Sequence, residues 1–124
     1  MWLKTGMIMP GEDCAQRATD PEIAEATLNT FRHVVPATVP GIVRLSGGQE
    51  DVDATERLNN ICRRGDTPWT ISFSFGRALH AALRVWAGDP ASVIPAQTEL
   101  QGRARLNSLA VQGLYPTGSE RVFA

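Results

Sequence analysis

The sequence predicts an α/β fold built around a parallel sheet. Short apolar runs of strand length alternate with longer segments in which apolar residues recur at helical spacing. The predicted order is strand, helix, strand, helix, strand, helix, helix, which is typical of repeated βα units. The strands are almost continuously apolar, and this indicates a sheet that is covered on both faces.

Composition narrows the classes of protein to consider. The 124 residues fit one domain, and a hydrophobic content of 43% is typical of a globular chain. The formal net charge of −1 argues against binding to nucleic acid or to an anionic membrane surface. No apolar run approaches the roughly 18 residues of a membrane span, and no signal-peptide pattern is present. We therefore expect no nucleic-acid partner and no membrane partner.

The cysteines and histidines suggest no metal centre. Cys14 and Cys62 form no CxxC pair and have no histidine pair nearby, which argues against a disulfide framework or a zinc site and favours a reducing, cytoplasmic compartment. His33 and His80 fall on predicted helices without an evident carboxylate or metal partner, so both are predicted to be structural. We expect neither a metal nor a cofactor.

The first strand ends at Lys4, directly before a loop over residues 5–19 that contains glycine and proline. Ligands of parallel sheets bind at the carboxyl ends of the strands. A lysine held there among apolar neighbours loses hydration, which frees its amine for attack on a carbonyl. Lys4 is therefore a candidate Schiff-base nucleophile, and the alternative is a solvated surface lysine.

The first helix is predicted to begin in the segment Thr19-Asp20-Pro21-Glu22, with Asp20 as the capping residue. Helical spacing predicts one buried face, formed by Ile23, Ala26, Thr27, Phe31 and Val34. Prolines at positions 36 and 40 end this helix and form the return to the second strand.

The second strand covers residues 41–45 and is followed at once by Ser46, Gly47 and Gly48. Such a loop can present several backbone N–H groups to an anion, because glycine lets the backbone come close. The alternative is a plain strand-to-helix turn. The second helix is predicted to begin near Asp51, and its buried face is predicted to carry Ala54, Leu58, Ile61 and Cys62.

The third strand, residues 68–75, leads into Gly76 and Arg77, which are predicted to open a third helix. A phosphate would be favoured at that helix N-terminus, and the Arg77 fork would clamp it. The alternative for Arg77 is a surface ion pair. Leu79, Ala82, Leu83 and Trp86 are predicted to face inward, and a last helix begins near Pro95 with Leu100, Ala104, Leu109 and Val111 on its apolar face.

All three strand ends carry groups that suit one ligand. A lysine on one strand and two anion-binding loops on the next strands would lie on the same face of the sheet. This combination suggests a phosphorylated carbonyl substrate, held by its phosphate while the amine forms an imine.

Several segments resemble class I, Schiff-base fructose-bisphosphate aldolases, in order and along nearly the whole chain. Leu3-Lys4, Met7 and Pro10-Gly11 are similar to the family motif around the imine-forming lysine. Further similar segments are 21–27, 39–41, 45–49 (Leu-Ser-Gly-Gly-Gln), 74–79 (Ser-Phe-Gly-Arg-Ala-Leu), 107–110 and 112–113. The sequence departs from the family at Thr5-Gly6, where Pro-Asn is usual, and at Phe75, where tyrosine is usual.

The resemblance implies a role for each candidate residue. Lys4 would form the imine with dihydroxyacetone phosphate. The phosphate would be held by Ser46, Gly47 and Gly48 after the seventh barrel strand, and by Gly76 and Arg77 after the eighth. The reaction implied is the reversible cleavage of fructose 1,6-bisphosphate to dihydroxyacetone phosphate and glyceraldehyde 3-phosphate, in glycolysis and gluconeogenesis, without a metal or cofactor.

The implied fold is the last three βα units of a (β/α)8 TIM barrel plus a closing helix, so that residues 1–124 form a single partial domain. We expect the front of the barrel to be missing and the isolated chain to turn over weakly or not at all. The expected partners are a sugar phosphate and either further copies of the chain or the N-terminal part of the barrel. The alternatives are a non-catalytic sugar-phosphate-binding remnant, one half of a split barrel, or an unrelated α/β domain.

Overall fold

A computed structural model describes residues 1–118, so the last six residues of the predicted domain lie outside the described part. Its elements are β1 (Trp2–Thr5), α1 (Asp20–Val34), β2 (Gly41–Arg44), α2 (Asp51–Arg63), β3 (Thr70–Phe73), a 3-10 turn (Arg77–Leu79), α3 (Ala81–Trp86), a second 3-10 turn (Pro90–Ser92) and α4 (Val93–Val111). This confirms the predicted α/β class and the predicted order of strands and helices. No helix within residues 1–118 is long and apolar enough to cross a membrane.

The three strands form one parallel sheet in the order β1-β2-β3. Lys4 pairs with Val43, and Val43 pairs with Ser72. The ladder continues just past the strands, because the Leu45 amide donates to the Thr5 carbonyl at 2.9 Å. All three strands therefore end at one level, and the loops that follow them share one edge of the sheet.

Among residues 1–118, the helices cover only one face of this sheet. Ile42, Arg44 and Ile71 are buried on the covered face, whereas Lys4 and Thr70 lie on the opposite face and are exposed. Side chains alternate between the two faces of a strand, so these differences define a covered face and an open face. The prediction of a sheet covered on both faces is wrong for the described chain, because consecutive βα crossovers in a three-stranded sheet place the helices on the same side.

The core lies between the covered face and the helices α1, α2 and α4. The rings of Phe31 and Trp69 meet edge to face with centroids 6.2 Å apart, and the Trp69 indole N–H donates to the Pro36 carbonyl at 2.9 Å. The other buried apolar residues of this cluster are Ala24, Leu28, Ile42, Ala54, Leu58, Ile61, Ile71, Phe75, Ala78, Ala110 and Tyr115. The predicted inward positions on α2 are thus confirmed for Ala54, Leu58 and Ile61, and Cys62 is partly buried.

Helix α1 is capped by Thr19 and not by Asp20. The Thr19 hydroxyl accepts from the Glu22 amide, and the Glu22 carboxylate accepts from the Thr19 amide at 2.7 Å, forming a capping box. Asp20 instead accepts a hydrogen bond from Arg57 of α2 at 3.0 Å. The buried face is also rotated from the predicted one, since Ala24 and Leu28 are buried while Ala26 and Val34 are exposed.

The third helix is shorter than predicted. A three-residue 3-10 turn follows Gly76, and α3 covers only six residues before Ala87 and Gly88 adopt positive φ angles of 48° and 80°. Leu83 and Trp86 were predicted to face inward, but they are 55% and 43% exposed. The physical reason is that a helix of fewer than two turns presents only Ala82 to α4 as a fully buried contact.

Candidate active site

Lys4 lies one residue before the end of β1, on the open face of the sheet. Its side chain is exposed, because none of the helices that the structure describes covers this face. The expectation of an amine desolvated among apolar neighbours is therefore not met in the described chain. The amine is accessible to a ligand that approaches the carboxyl edge of the sheet.

A tight glycine turn follows β2. The Gln49 amide donates to the Ser46 carbonyl at 3.0 Å, and the two residues between them, Gly47 and Gly48, have φ angles of +57° and +82°. These angles are unfavourable for residues with a Cβ atom, so glycine is required here by conformation. The space around Gly47 is open, and a Cβ atom there would meet nothing within 4 Å. The turn therefore leaves one side of its backbone accessible.

Arg77 reaches back to this turn from the segment after β3. Its guanidinium atoms lie 3.6–3.8 Å from the position that a Cβ atom on Gly48 would occupy. Within residues 1–118 the Arg77 side chain forms no ion pair with a carboxylate, which argues against the surface ion pair as its role. A cationic fork beside a glycine turn is a suitable arrangement for an oxyanion.

An open pocket of about 330 Å³ joins these elements. It is lined by Leu45, Ser46, Gly47, Ser74, Gly76, Arg77 and His80. Four of the predicted phosphate-binding residues therefore lie around one cavity. Gly48 lines an adjoining polar pocket of about 200 Å³ that also contains Arg77 and His80.

The dipole of a long helix does not contribute to this pocket as predicted. Arg77 begins a 3-10 turn of three residues, and the α-helix that follows starts only at Ala81. So few peptide units sum to a small dipole. An anion in this pocket would therefore be held by the backbone of the glycine turn and by the guanidinium of Arg77.

Comparison with known proteins assigns the chain to a family. The sequence matches the family model "Glycolytic: Fructose-bisphosphate aldolase class-I" over residues 1–124. The chain belongs to this aldolase family. It is 44% identical over 119 residues to a chloroplastic fructose-bisphosphate aldolase of Oryza sativa subsp. japonica, covering 95% of this chain and 30% of that protein. It is 46% identical over 120 residues to the non-muscle type aldolase of Lethenteron camtschaticum, covering 94% of this chain and 33% of that protein.

A solved aldolase has the same fold over the shared region. The fructose-bisphosphate aldolase of Plasmodium falciparum, crystallised with TRAP and a small-molecule inhibitor, superposes with a TM-score of 0.91 at 41% identity. The match covers 94% of this chain and 34% of that one. The aldolase resemblance deduced from the sequence motifs is thus confirmed, and the chain spans about a third of the length of the relatives it matches.

Two residues of this aldolase-family chain were missed as parts of the site. His80 was predicted to be structural, but it lines both pockets beside Arg77. The available signal was its position three residues after Arg77, which places both side chains on one side of a helical turn. His33, in contrast, is exposed and forms a hydrogen bond with the Asn29 carbonyl of its own helix at 2.7 Å.

The other missed residue is Arg44, which the apolar run of β2 concealed. It is fully buried on the covered face and lies 4.5 Å above the ring of Phe31. Its Nη2 donates to the carbonyl of Gly6, two residues after Lys4. Burial lowers the pKa of the Arg44 guanidinium to about 10, although the neighbouring Cys62 opposes the shift. Arg44 therefore anchors the loop that follows the candidate nucleophile.

Proposed function

We propose that this chain is the C-terminal part of a class I aldolase barrel and that it performs Schiff-base chemistry on dihydroxyacetone phosphate. The whole reaction proposed is the reversible cleavage of fructose 1,6-bisphosphate. The observation that carries the proposal is the pocket joining Ser46, Gly47, Gly76 and Arg77 at the sheet edge where the strand of Lys4 ends.

The arrangement suits imine formation. The Lys4 amine attacks the substrate carbonyl, water leaves, and the protonated imine draws electrons from the carbon–carbon bond that breaks. The glycine turn and the Arg77 guanidinium hold the phosphate, which makes the encounter between amine and carbonyl effectively intramolecular. No metal or cofactor is needed for these steps.

Turnover by the 124-residue chain is proposed to be weak. The resemblance places the carboxylates for proton transfer and a second active-site lysine on earlier strands of the barrel, outside the third of the relatives' length that this chain spans. Loss of general acid–base catalysis lowers rates by roughly 10²–10⁴-fold. We also propose a cytoplasmic location, from the cysteine usage, and further copies of the chain or the earlier barrel strands as protein partners.

Imine trapping tests the proposal. The purified chain is incubated with dihydroxyacetone phosphate, reduced with borohydride, and analysed by intact mass and peptide mapping. Lys4 is the only lysine in the sequence, so the N-terminal amine is the one other primary amine that can react. We expect an adduct on Lys4 that is absent from the Lys4→Met variant. A folded chain that acquires no adduct, or acquires it only at the N-terminus, contradicts the proposal.

Arg77→Ala separates the phosphate clamp from the nucleophile. Because Arg77 is exposed and does not support the core, this variant is expected to fold normally and to require about tenfold more substrate for the same trapping yield, the loss of one charge-assisted contact. An unchanged concentration dependence would show that the phosphate lies elsewhere.

One observation favours a second candidate, a non-catalytic sugar-phosphate-binding remnant or one half of a split barrel. Lys4 is exposed on an open sheet face, whereas the nucleophile of an active enzyme is normally enclosed. Adding the earlier strands of an aldolase barrel in trans distinguishes these possibilities. Recovered cleavage supports the split barrel, and binding of dihydroxyacetone phosphate without any adduct supports the binding remnant.

A further inference from the structure

Arg57 on α2 occupies the junction of three segments at the carboxyl edge of the sheet. Its Nε donates to Asp20 Oδ1 at 3.0 Å, and its Nη1 donates to Gln49 Oε1 at 2.8 Å. Its Nη2 lies 3.6 Å from Asp53 Oδ2, one turn back on the same helix. The Arg57 side chain is only 16% exposed, so these contacts are largely protected from solvent.

The partners of Arg57 lie in or beside the two loops that form the proposed site, which are the glycine turn after β2 and the loop after Lys4. The backbone amide of Gln49 closes the glycine turn, and the residue is itself buried. Asp20 begins α1 directly after the loop that follows Lys4, and Met9 Sδ within that loop lies 3.9 Å from Arg57 Nη1. The Arg57 guanidinium thus links the glycine turn to the loop that follows Lys4.

The glycine turn needs such an anchor. Gly47 and Gly48 have no side chains to pack, and both hold backbone conformations with positive φ. The Gln49 side chain is therefore a main route by which the rest of the fold can fix the turn, and Arg57 holds that side chain. A charge-assisted hydrogen bond that is shielded from solvent is stronger than an exposed one.

The charges around Arg57 indicate that its role is to position neighbouring residues. Two carboxylates, Asp20 and Asp53, lie within 3.0 and 3.6 Å of its guanidinium and offset its charge. Arg77, with no ion pair in the part of the chain that the structure describes, keeps its charge for a ligand. Arg57 consequently adds little direct attraction for a phosphate.

We propose that Arg57 is a positioning residue, which holds the Ser46–Gln49 turn in its phosphate-binding conformation and in register with the Lys4 loop. This inference rests on the proposed function, because it assigns a role within the same site. It requires no contact between Arg57 and substrate.

The test compares Arg57→Met with Arg64→Met in the purified 124-residue chain. Arg64 is the matched control, because it also ties α2 to α1, through the Pro21 carbonyl at 3.0 Å and Glu25 at 3.5 Å, but does not touch the glycine turn. Exchange of the Gln49 backbone amide hydrogen, which is donated to the Ser46 carbonyl at 3.0 Å, is measured without ligand, and inorganic phosphate is then titrated. Folding of each variant is checked by circular dichroism.

We expect Arg57→Met to accelerate exchange of the Gln49 backbone amide and to weaken phosphate binding roughly tenfold, the equivalent of one charged hydrogen bond. Arg64→Met is expected to change neither quantity. Unchanged exchange in a folded Arg57→Met chain overturns the inference. Exchange needs no ligand, so it decides the role of Arg57 even where the wild-type chain binds no phosphate, a result that would overturn the proposed function alone.

Gln49→Met supplies a second variant that leaves the ion pair of Arg57 with Asp20 intact. It is expected to reproduce the faster exchange and the weaker binding. Because the two side chains act through one hydrogen bond, the double variant is expected to lose no more affinity than either single variant. Additive losses would show that Arg57 and Gln49 act independently, and would also overturn the inference.

Discussion

Replacing the buried Arg44 by methionine is expected to stabilise the fold. The guanidinium is fully buried on the covered face of the sheet, and its Nε and Nη1 are buried without a hydrogen-bond partner among the described residues. Its Nη2 donates to the Gly6 carbonyl, and its Cζ lies 4.5 Å from the centroid of the Phe31 ring. Methionine has a similar length, keeps the contact with the ring, and carries no charge into the core.

The magnitude follows from the burial of the charge. Burial lowers the pKa of Arg44 to about 10, well below the ordinary value of a guanidinium. A shift of this size corresponds to roughly 3 kcal/mol of destabilisation of the charged form at neutral pH. Methionine gives up one hydrogen bond and one cation–π contact, each worth about 1 kcal/mol. We therefore expect a net gain of about 1–2 kcal/mol in the free energy of unfolding, consistent with other buried charges replaced by apolar residues.

Thermal and urea unfolding at pH 7 measure the effect. For a chain of this size, the gain corresponds to a rise in Tm of roughly 4–8 °C. Arg57→Met is the matched control, since the same replacement at an arginine whose guanidinium is satisfied should lower the Tm. A lower Tm for Arg44→Met would refute the reasoning, because the contacts of the guanidinium would then outweigh its desolvation.

The pH dependence of the stability difference between the wild type and Arg44→Met checks the direction of this effect. The pKa of Arg44 is lower in the folded chain than in the unfolded chain, so from pH about 10 up to the ordinary pKa of a guanidinium the unfolded chain binds more protons. The wild type then gains stability relative to Arg44→Met as the pH rises through this range, and the difference between them narrows. Below pH 10 the difference is constant. Urea midpoints of both chains at pH 8 and pH 10.5 measure this change.

Three further predictions concern local structure. Thr19→Ala removes the capping box of α1 and is expected to lower the free energy of unfolding by about 1 kcal/mol, measured by urea denaturation. Gly47→Ala, forced to a φ of +57°, is expected to lose about 1–2 kcal/mol in the same assay, whereas Gly76→Ala, at a φ of −106° and in open space, should be nearly neutral; equal losses would contradict the conformational argument. Burial raises the pKa of the Cys62 thiol to about 12, so a thiol reagent at pH 8 should modify only the exposed Cys14 in the folded chain, and two thiols per chain in denaturant.

The order of elements and the candidate phosphate site could be predicted because their signals are local. Apolar periodicity over a few residues separates strands from helices. Adjacent glycines after a strand indicate a turn with unusual backbone angles, and Gly47 and Gly48 adopt them. Parallel strands end at a common edge, so the positions of Ser46 and Arg77 at one pocket follow from topology.

Local sequence signals gave wrong predictions where two residues were equally suitable as a helix cap and where a helix was short. Thr19 and Asp20 are both good capping residues, and the choice between them depends on Arg57, which is 37 positions from Asp20 in the sequence. The length of α3 depends on positive φ angles at Ala87 and Gly88, and an alanine gives no sign of such a conformation.

By itself, the sequence determined the α/β class, the order of the elements, the family and four residues, Ser46, Gly47, Gly76 and Arg77, that the structure places around one pocket. Only the tertiary structure decided the exposure of Lys4, the burial of Arg44 and the contacts of Arg57. The physical reason is that backbone propensities and apolar periods act between near neighbours along the chain. The environment of a charged side chain is set by whichever distant segments pack around it, and these are brought together only when the sheet and helices assemble.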